Sequence, residues 1–135
     1  MSDDDLRLRT AKALGWVLVD SLEWQHLDLG PVRTERYARG DQVAILYRQV
    51  NGDQVETTLP LYGTSWASCE EIDAECKKRG WEWEVYVSPH RAAVTVWKPN
   101  PDQTTEFTRV VAGGGGAPLF PAAFAEAFCQ AVENV

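Results

Sequence analysis

Arginine, tyrosine and tryptophan are the residues of this chain best suited to gripping a ligand, and their spacing is uneven. Arg33, Arg36 and Arg39 recur at steps of three, with Tyr37 among them. On a helix these arginines share a face; on an extended chain they do not. A guanidinium holds a phosphate through two parallel N–H donors, so the three with Arg48, Arg91 or Lys98 would form an anion pocket. Trp24, Trp66 and Trp97 stand outside the clearest apolar patterns, where an aromatic ring can stack on a base or meet a partner protein. The candidate ligand-binding set is Arg33, Arg36, Tyr37, Arg39, Trp66, Arg91, Trp97 and Lys98. A solvated charged face, and aromatics packed under a layer of helices, would account for the same residues with no ligand at all.

The run "VVAGGGGAPLFPAAF" raises a second chemistry. A phosphate loop uses glycine to let backbone N–H groups converge between a strand and a helix N-terminus, which is the order of elements here. Pro118 and Pro121 remove two donors, however, and the sequence has neither a "GK[ST]" ending nor a "GxGxxG" followed by an acidic residue about twenty positions on. The reading is a mobile surface loop, with Gly113, Gly114, Gly115 and Gly116 as a hinge that closes over a ligand held elsewhere.

Other reactive groups are sparse. Cys69 and Cys76 are two helical turns apart, about 10 Å along the axis, too far to bridge or to share one metal. The two histidines, His26 and His90, have no zinc-like spacing. The three cysteines therefore read as buried thiols, with no metal or cofactor expected. His26 has Asp28 nearby and His90 precedes Arg91, but strand alternation or a turn directs such neighbours apart, and no nucleophile elbow is present. No catalytic residue is assigned; a small hydrolase using His90 or His26 is the enzymatic alternative.

The elements that must position these groups can be read from periodicity. Asp3, Asp4 and Asp5 suit the positive end of a first helix over 3–14, with Leu6, Ala13 and Leu14 as its stripe and Gly15 as its stop. "WVLVD" follows as a strand or loop, and residues 21–39 are irregular, a place where a scaffold often carries a site. Two β-rich stretches, 42–50 and 54–62, flank Asn51-Gly52 and predict a hairpin. Trp66, Cys69, Ile72 and Cys76 mark an amphipathic helix over 66–79, capped by Ser65 or Ser68 and ended by Gly80. "WEWEVYVS" alternates with period two, placing Trp81, Trp83, Val85 and Val87 on one face. "AAVTVWK" and "FTRVVA" extend it to a meander. Phe120, Phe124, Phe128 and Val132, four apart, then form one face of a closing helix over 121–133, with Pro121 in its first turn. The expected class is α+β: an antiparallel sheet of about five strands packed by two or three helices.

A chain of 135 residues fits one domain, with the hairpin at 42–62 as a candidate insertion. A formal net charge of −7 with scattered cations argues against nucleic acid as a partner. No apolar run approaches the roughly 18 to 20 residues needed to cross a bilayer, so no membrane partner is expected. The acidic start lacks an apolar signal region and three cysteines cannot all pair, which together suit a reducing cytoplasm.

From Trp66 to the C-terminus the chain resembles the phage ABA sandwich domain. The residues that carry the likeness are "CKKRGWEWEV", "YVSPHRAAVTVWK" and the last helix "PLFPAAFAEAFCQAV", where Cys129 lies among alanines; "LRLRTAKALGW" near the start is also similar. The hairpin at 42–62 and the glycine run depart from it. The resemblance implies a bacteriophage accessory protein of helices around a strand meander, and it transfers no catalytic residue. The functional expectation is a non-enzymatic binder, with sequestration of a nucleotide-derived host immune signal as its sharpest form and a homo-oligomer as its setting. A protein-binding inhibitor of a host factor, using the acidic helix and an exposed tryptophan, is the alternative.

Overall fold

A computed structural model describes residues 3–50, 55–102, 104 and 106–134. The elements are α1 (Asp3–Ala13), β1 (Val17–His26), β2 (Gly30–Arg39), β3 (Gln42–Gln49), β4 (Val55–Thr57), α2 (Trp66–Lys78), β5 (Glu82–Ser88), β6 (Arg91–Pro99), β7 (Arg109–Ala117) and α3 (Phe120–Glu133). The fold is α+β, with seven described strands in two antiparallel sheets where the sequence suggests about five in one. By internal contacts the chain divides into two compact units, Gly15–Pro60 and a second made of Met1–Leu14 with Leu61–Val135.

The Gly15–Pro60 unit is the sheet β1-β2-β3-β4. Its first hairpin corrects the reading of residues 21–39 as irregular: β1 and β2 are ten-residue strands, paired from Val17 opposite Ala38 to His26 opposite Gly30. The physical reason for the misreading is visible in the burial. Nearly all of β1 is exposed, so its sequence carries no apolar alternation, and the pairing is marked instead by opposite charges facing each other across the strands. The expected second hairpin forms, but β4 ends at Thr57 and not at 62, and its Asn51-Gly52 turn lies outside the described residues. Val32, Tyr37, Ala44, Leu46 and Leu59 are buried.

In the second unit β5, β6 and β7 form the expected meander, and α3 packs on β6 and β7 while α1 and α2 pack on α3. Phe124 and Phe128 are fully buried, as are Ala123, Ala127 and Ala131. The glycine run is corrected most sharply: residues 113–116 lie inside β7, paired with Val96, Thr95, Val94 and Ala93 of β6. They are neither loop nor hinge. Gly113 and Gly115 face α3, where a methyl group at Gly113 would strike the Ala127 carbonyl and stand 2.6 Å from the Ala131 nitrogen. At Gly115 it would strike the Ala123 carbonyl and stand 2.7 Å from the Ala127 nitrogen. Glycine on the strand and alanine at steps of four on the helix thus let two backbones meet with almost no side chain between them.

The period-two reading of β5 holds only at its start. Trp83 is half-buried against Phe124, with ring centroids 4.5 Å apart, and its indole N–H donates to Asp73 Oδ1 at 2.8 Å. Val85 and Val87 are exposed because β5 is an edge strand that α2 and α3 do not cover to its end. Helix α2 begins where Ser65 caps it, accepting from the Ala67 N–H, and its cysteines face inward as expected.

Candidate functional site

The pocket that best joins shape to chemistry lies on one face of the four-stranded sheet. Residues paired across neighbouring strands share a face, so the register puts Trp24, Val32 and Gln49 in one row and Leu22, Thr34, Tyr47 and Glu56 in the next. Trp24, His26, Leu29, Val32, Tyr47 and Glu56, with Arg48 and Gln49, line a pocket of about 210 Å³. Val32 is buried, whereas Trp24 and Tyr47 remain 39% and 44% exposed, so the rings rise beside an apolar base and stay reachable.

Both ring side chains on β1 are held before any ligand arrives. The Trp24 indole N–H donates to Thr34 Oγ1 at 2.8 Å on the neighbouring strand. His26 stands where the hairpin turns, and its Nδ1 accepts from the backbone N–H groups of Asp28 at 3.0 Å and Leu29 at 3.2 Å. With Nδ1 an acceptor, the neutral ring carries its proton on Nε2, a donor. Gly30 closes the turn at φ +76°, a conformation that glycine adopts at little cost. The two rings lie 5.7 Å apart, tilted by 54°. Gln49 and Glu56 supply the polar groups of this face, an amide and a carboxylate. Arg48 also borders the pocket, although its guanidinium turns towards Glu35 at 3.9 Å, and its Nε is buried with no hydrogen-bond partner among the described groups.

The residues singled out from sequence are divided between the two units. Arg33, Arg36, Tyr37 and Arg39 belong to one unit and Trp66, Arg91, Trp97 and Lys98 to the other. Strand alternation sends Arg36 to the pocket face and Arg33, Tyr37 and Arg39 to the opposite one. Arg33 pairs with Glu23 at 2.6 Å and Arg36 with Asp20 at 2.5 Å. The bond to Glu23 pushes the Arg33 guanidinium further up from its ordinary range. Arg39 lies 5.2 Å over the ring of Trp16. Tyr37 is buried, and burial, followed by the nearby Glu35 carboxylate, raises its hydroxyl above the usual tyrosine value.

In the second unit, Arg91 opens β6 and Trp97 and Lys98 close it, so they lie at opposite ends of one strand. Trp97 lies beneath the guanidinium of Arg109 at 4.4 Å, and Arg109 is itself fastened to Glu82 at 2.8 Å and Glu84 at 2.5 Å. Arg91 reaches over Gly116. Trp66 is exposed at the start of α2, its ring 5.2 Å from that of Phe120.

The pocket residues that sequence reasoning passed over are His26 as a binding group, Tyr47, Gln49 and Glu56; Trp24 was noticed only as an aromatic outside the main apolar pattern. The available signal was the spacing of Trp24 and His26, two apart and therefore on one face of a strand. It required recognising β1 as a strand, and exposure had erased that pattern.

The thiols are inert by placement. Cys69, Cys76 and Cys129 are buried and free. Burial pushes Cys76 up to about 12 and Cys129 up to about 11. Among the described residues no group of three His, Cys, Asp or Glu side chains is placed to hold a metal ion, and no described helix is long and apolar enough to cross a membrane. Comparison with protein-family models, with curated proteins and with solved structures returned no match.

Proposed function

We propose that this protein is a non-enzymatic binder that takes the planar ring of a nucleotide-derived ligand into the pocket of Trp24, His26 and Tyr47. The observation that carries the reading is the pre-set aromatic lining over Val32, with Trp24 and His26 each fixed by its own hydrogen bonds. A ring that need not reorganise loses less entropy on binding. At about 210 Å³ the pocket is smaller than the roughly 300–1,000 Å³ typical of drug-sized ligands, which suits one ring and leaves the rest of the molecule on the open sheet. Gln49 and Glu56 would meet the donor edge of a base.

Of the candidate arginines, Arg36 shares the pocket face. It stands four residues along β2 from Val32, about 13 Å at strand rise. A phosphate placed there would take Arg36 from Asp20. The hydrolase alternative has less in its favour at His26, because Nδ1 accepts from the turn and Nε2 of the neutral ring then carries the proton and is no base. The bacteriophage setting, and with it the sequestration of a host immune signal, rests on the resemblance of the segment from Trp66 onward and on the binding chemistry proposed here.

Calorimetry and tryptophan quenching with matched nucleosides and nucleotides, cyclic ones included, test this directly. Base–aromatic stacking is worth about 1–3 kcal/mol, so Trp24→Ala or Tyr47→Ala should weaken both ligand types about fivefold or more. Arg36→Gln should weaken only the phosphate-bearing ones. Ligand recovered by denaturing the complex should be chemically intact. Absence of any heat or quenching across the panel, or recovery of a cleaved product, would sink the reading.

A further inference from the structure

Strand β1 is the end strand of its sheet, and no described strand pairs with its outer edge. It is ten residues long and exposed along nearly all its length, with Val17, Leu18, Val19 and Leu22 among the exposed apolar side chains. An edge of this kind offers a row of unpaired backbone N–H and C=O groups, and soluble proteins usually guard it with lysine, proline, a bulge or a covering element. Residues 17–26 contain neither lysine nor proline, and the single irregularity falls between Leu18 and Asp20, leaving 20–26 regular.

The charges on this edge are compatible with a second copy of the same strand. Asp20 and Glu23 are each neutralised within the chain, by Arg36 and Arg33. In an antiparallel pair about a two-fold axis normal to the sheet, centring on Asp20 or Glu23 would set like charges directly opposite each other, which is unfavourable. Centring on Ser21 would press Leu22 against the second copy's Asp20. Centring on Leu22 sets leucine on leucine, Ser21 opposite Glu23 and Asp20 opposite Trp24, with no like charges facing.

We propose that the protein self-associates through β1, two copies pairing antiparallel about Leu22 to make one continuous eight-stranded sheet. The edge backbone groups gain partners, the exposed leucines and valines leave water, and the isologous geometry closes after two copies. The pairing would also bring the second copy's edge alongside Trp24, a lining residue of the ring pocket, although it does not depend on that pocket binding anything.

The test is sedimentation of the full chain at tens of micromolar, with circular dichroism to check folding. The expected result is a dimer of the 15.1 kDa chain. Leu22→Lys, at a position 65% exposed and therefore tolerant in the folded subunit, should yield a folded monomer, and Val87→Lys on the edge of the other sheet should leave the dimer intact. A second measurement reads the register. Under mild oxidation Leu22→Cys should form an interchain disulfide while Val19→Cys should not, because residue 19 of one copy would stand opposite residue 25 of the other. The native thiols are buried and are blocked with N-ethylmaleimide on denaturation. A native chain that stays monomeric, a dimer that survives Leu22→Lys, or cross-linking of Val19→Cys as readily as Leu22→Cys would overturn the proposal.

Discussion

Cys76 and Cys129 are fully buried side chains whose surroundings suppress the thiolate, and the thiolate is the reactive form. Native protein at pH 8 should therefore react with a thiol reagent orders of magnitude more slowly than unfolded protein; fast labelling of all three cysteines in the folded state would contradict their placement. Cys129 lies 3.5 Å from Thr10 Oγ1, so its labelling also reports whether α1 is seated. Trp83 offers a second residue-scale check. Its indole N–H, with Lys77 in support, holds the Asp73 carboxyl below the usual aspartate range. Trp83→Phe should let Asp73 rise towards its ordinary value by NMR titration and cost roughly 1 kcal/mol of stability for the lost bond. The inward-facing Cys69 and Cys76 were legible in the sequence because their spacing with Ile72 follows a helical stripe. The pocket was less so: Trp24, Tyr47 and Glu56 are separated by 23 and 9 residues and meet only through the register of four strands.

At the scale of elements, β7 and α3 state the rule most plainly. Successive residues of a strand face opposite ways, so the four consecutive glycines are not equivalent. Gly115→Ala should destabilise by about 1–3 kcal/mol, the usual cost of overpacking, since its methyl would press on the helix backbone at Ala123 and Ala127 and on Glu126 Cβ. Gly114→Ala faces away, with its nearest neighbour, the Val94 carbonyl, 3.8 Å from the added carbon. It should be neutral or stabilising by about 0.5–1 kcal/mol through reduced freedom of the unfolded chain. Equal effects at both positions in urea melts would refute the alternation. A loop reading treated the glycines as slack because composition alone cannot distinguish freedom of the backbone from the absence of a side chain. The alanines at 123, 127 and 131 were the partner signal, and it was hidden behind the more conspicuous stripe of phenylalanines.

For the molecule as a whole, the buried thiols tie stability to pH in a definite direction. A folded-state thiol raised above its unfolded value of about 9 favours the fold fully below that pH, and the contribution is lost as pH climbs through the folded value. Stability should thus decline from about pH 9 towards pH 12, and Cys76→Ala should flatten that decline even while lowering stability at pH 7. At the acid end the sign reverses: Glu133, held down by its bond to Arg9, contributes above its ordinary carboxyl range and loses that contribution as pH falls, a small effect because the pair is partly exposed. What the sequence by itself determined was the α+β class, the three helices, β5 and β6 with the start of β7, and the inward-facing Cys69 and Cys76, announced by apolar patterns along continuous stretches. What only the tertiary structure decided was the β1–β2 hairpin, the duty of the glycines and the ring pocket. Those depend on which residues face one another across strands or between strand and helix, and such pairings leave no period in the order of residues.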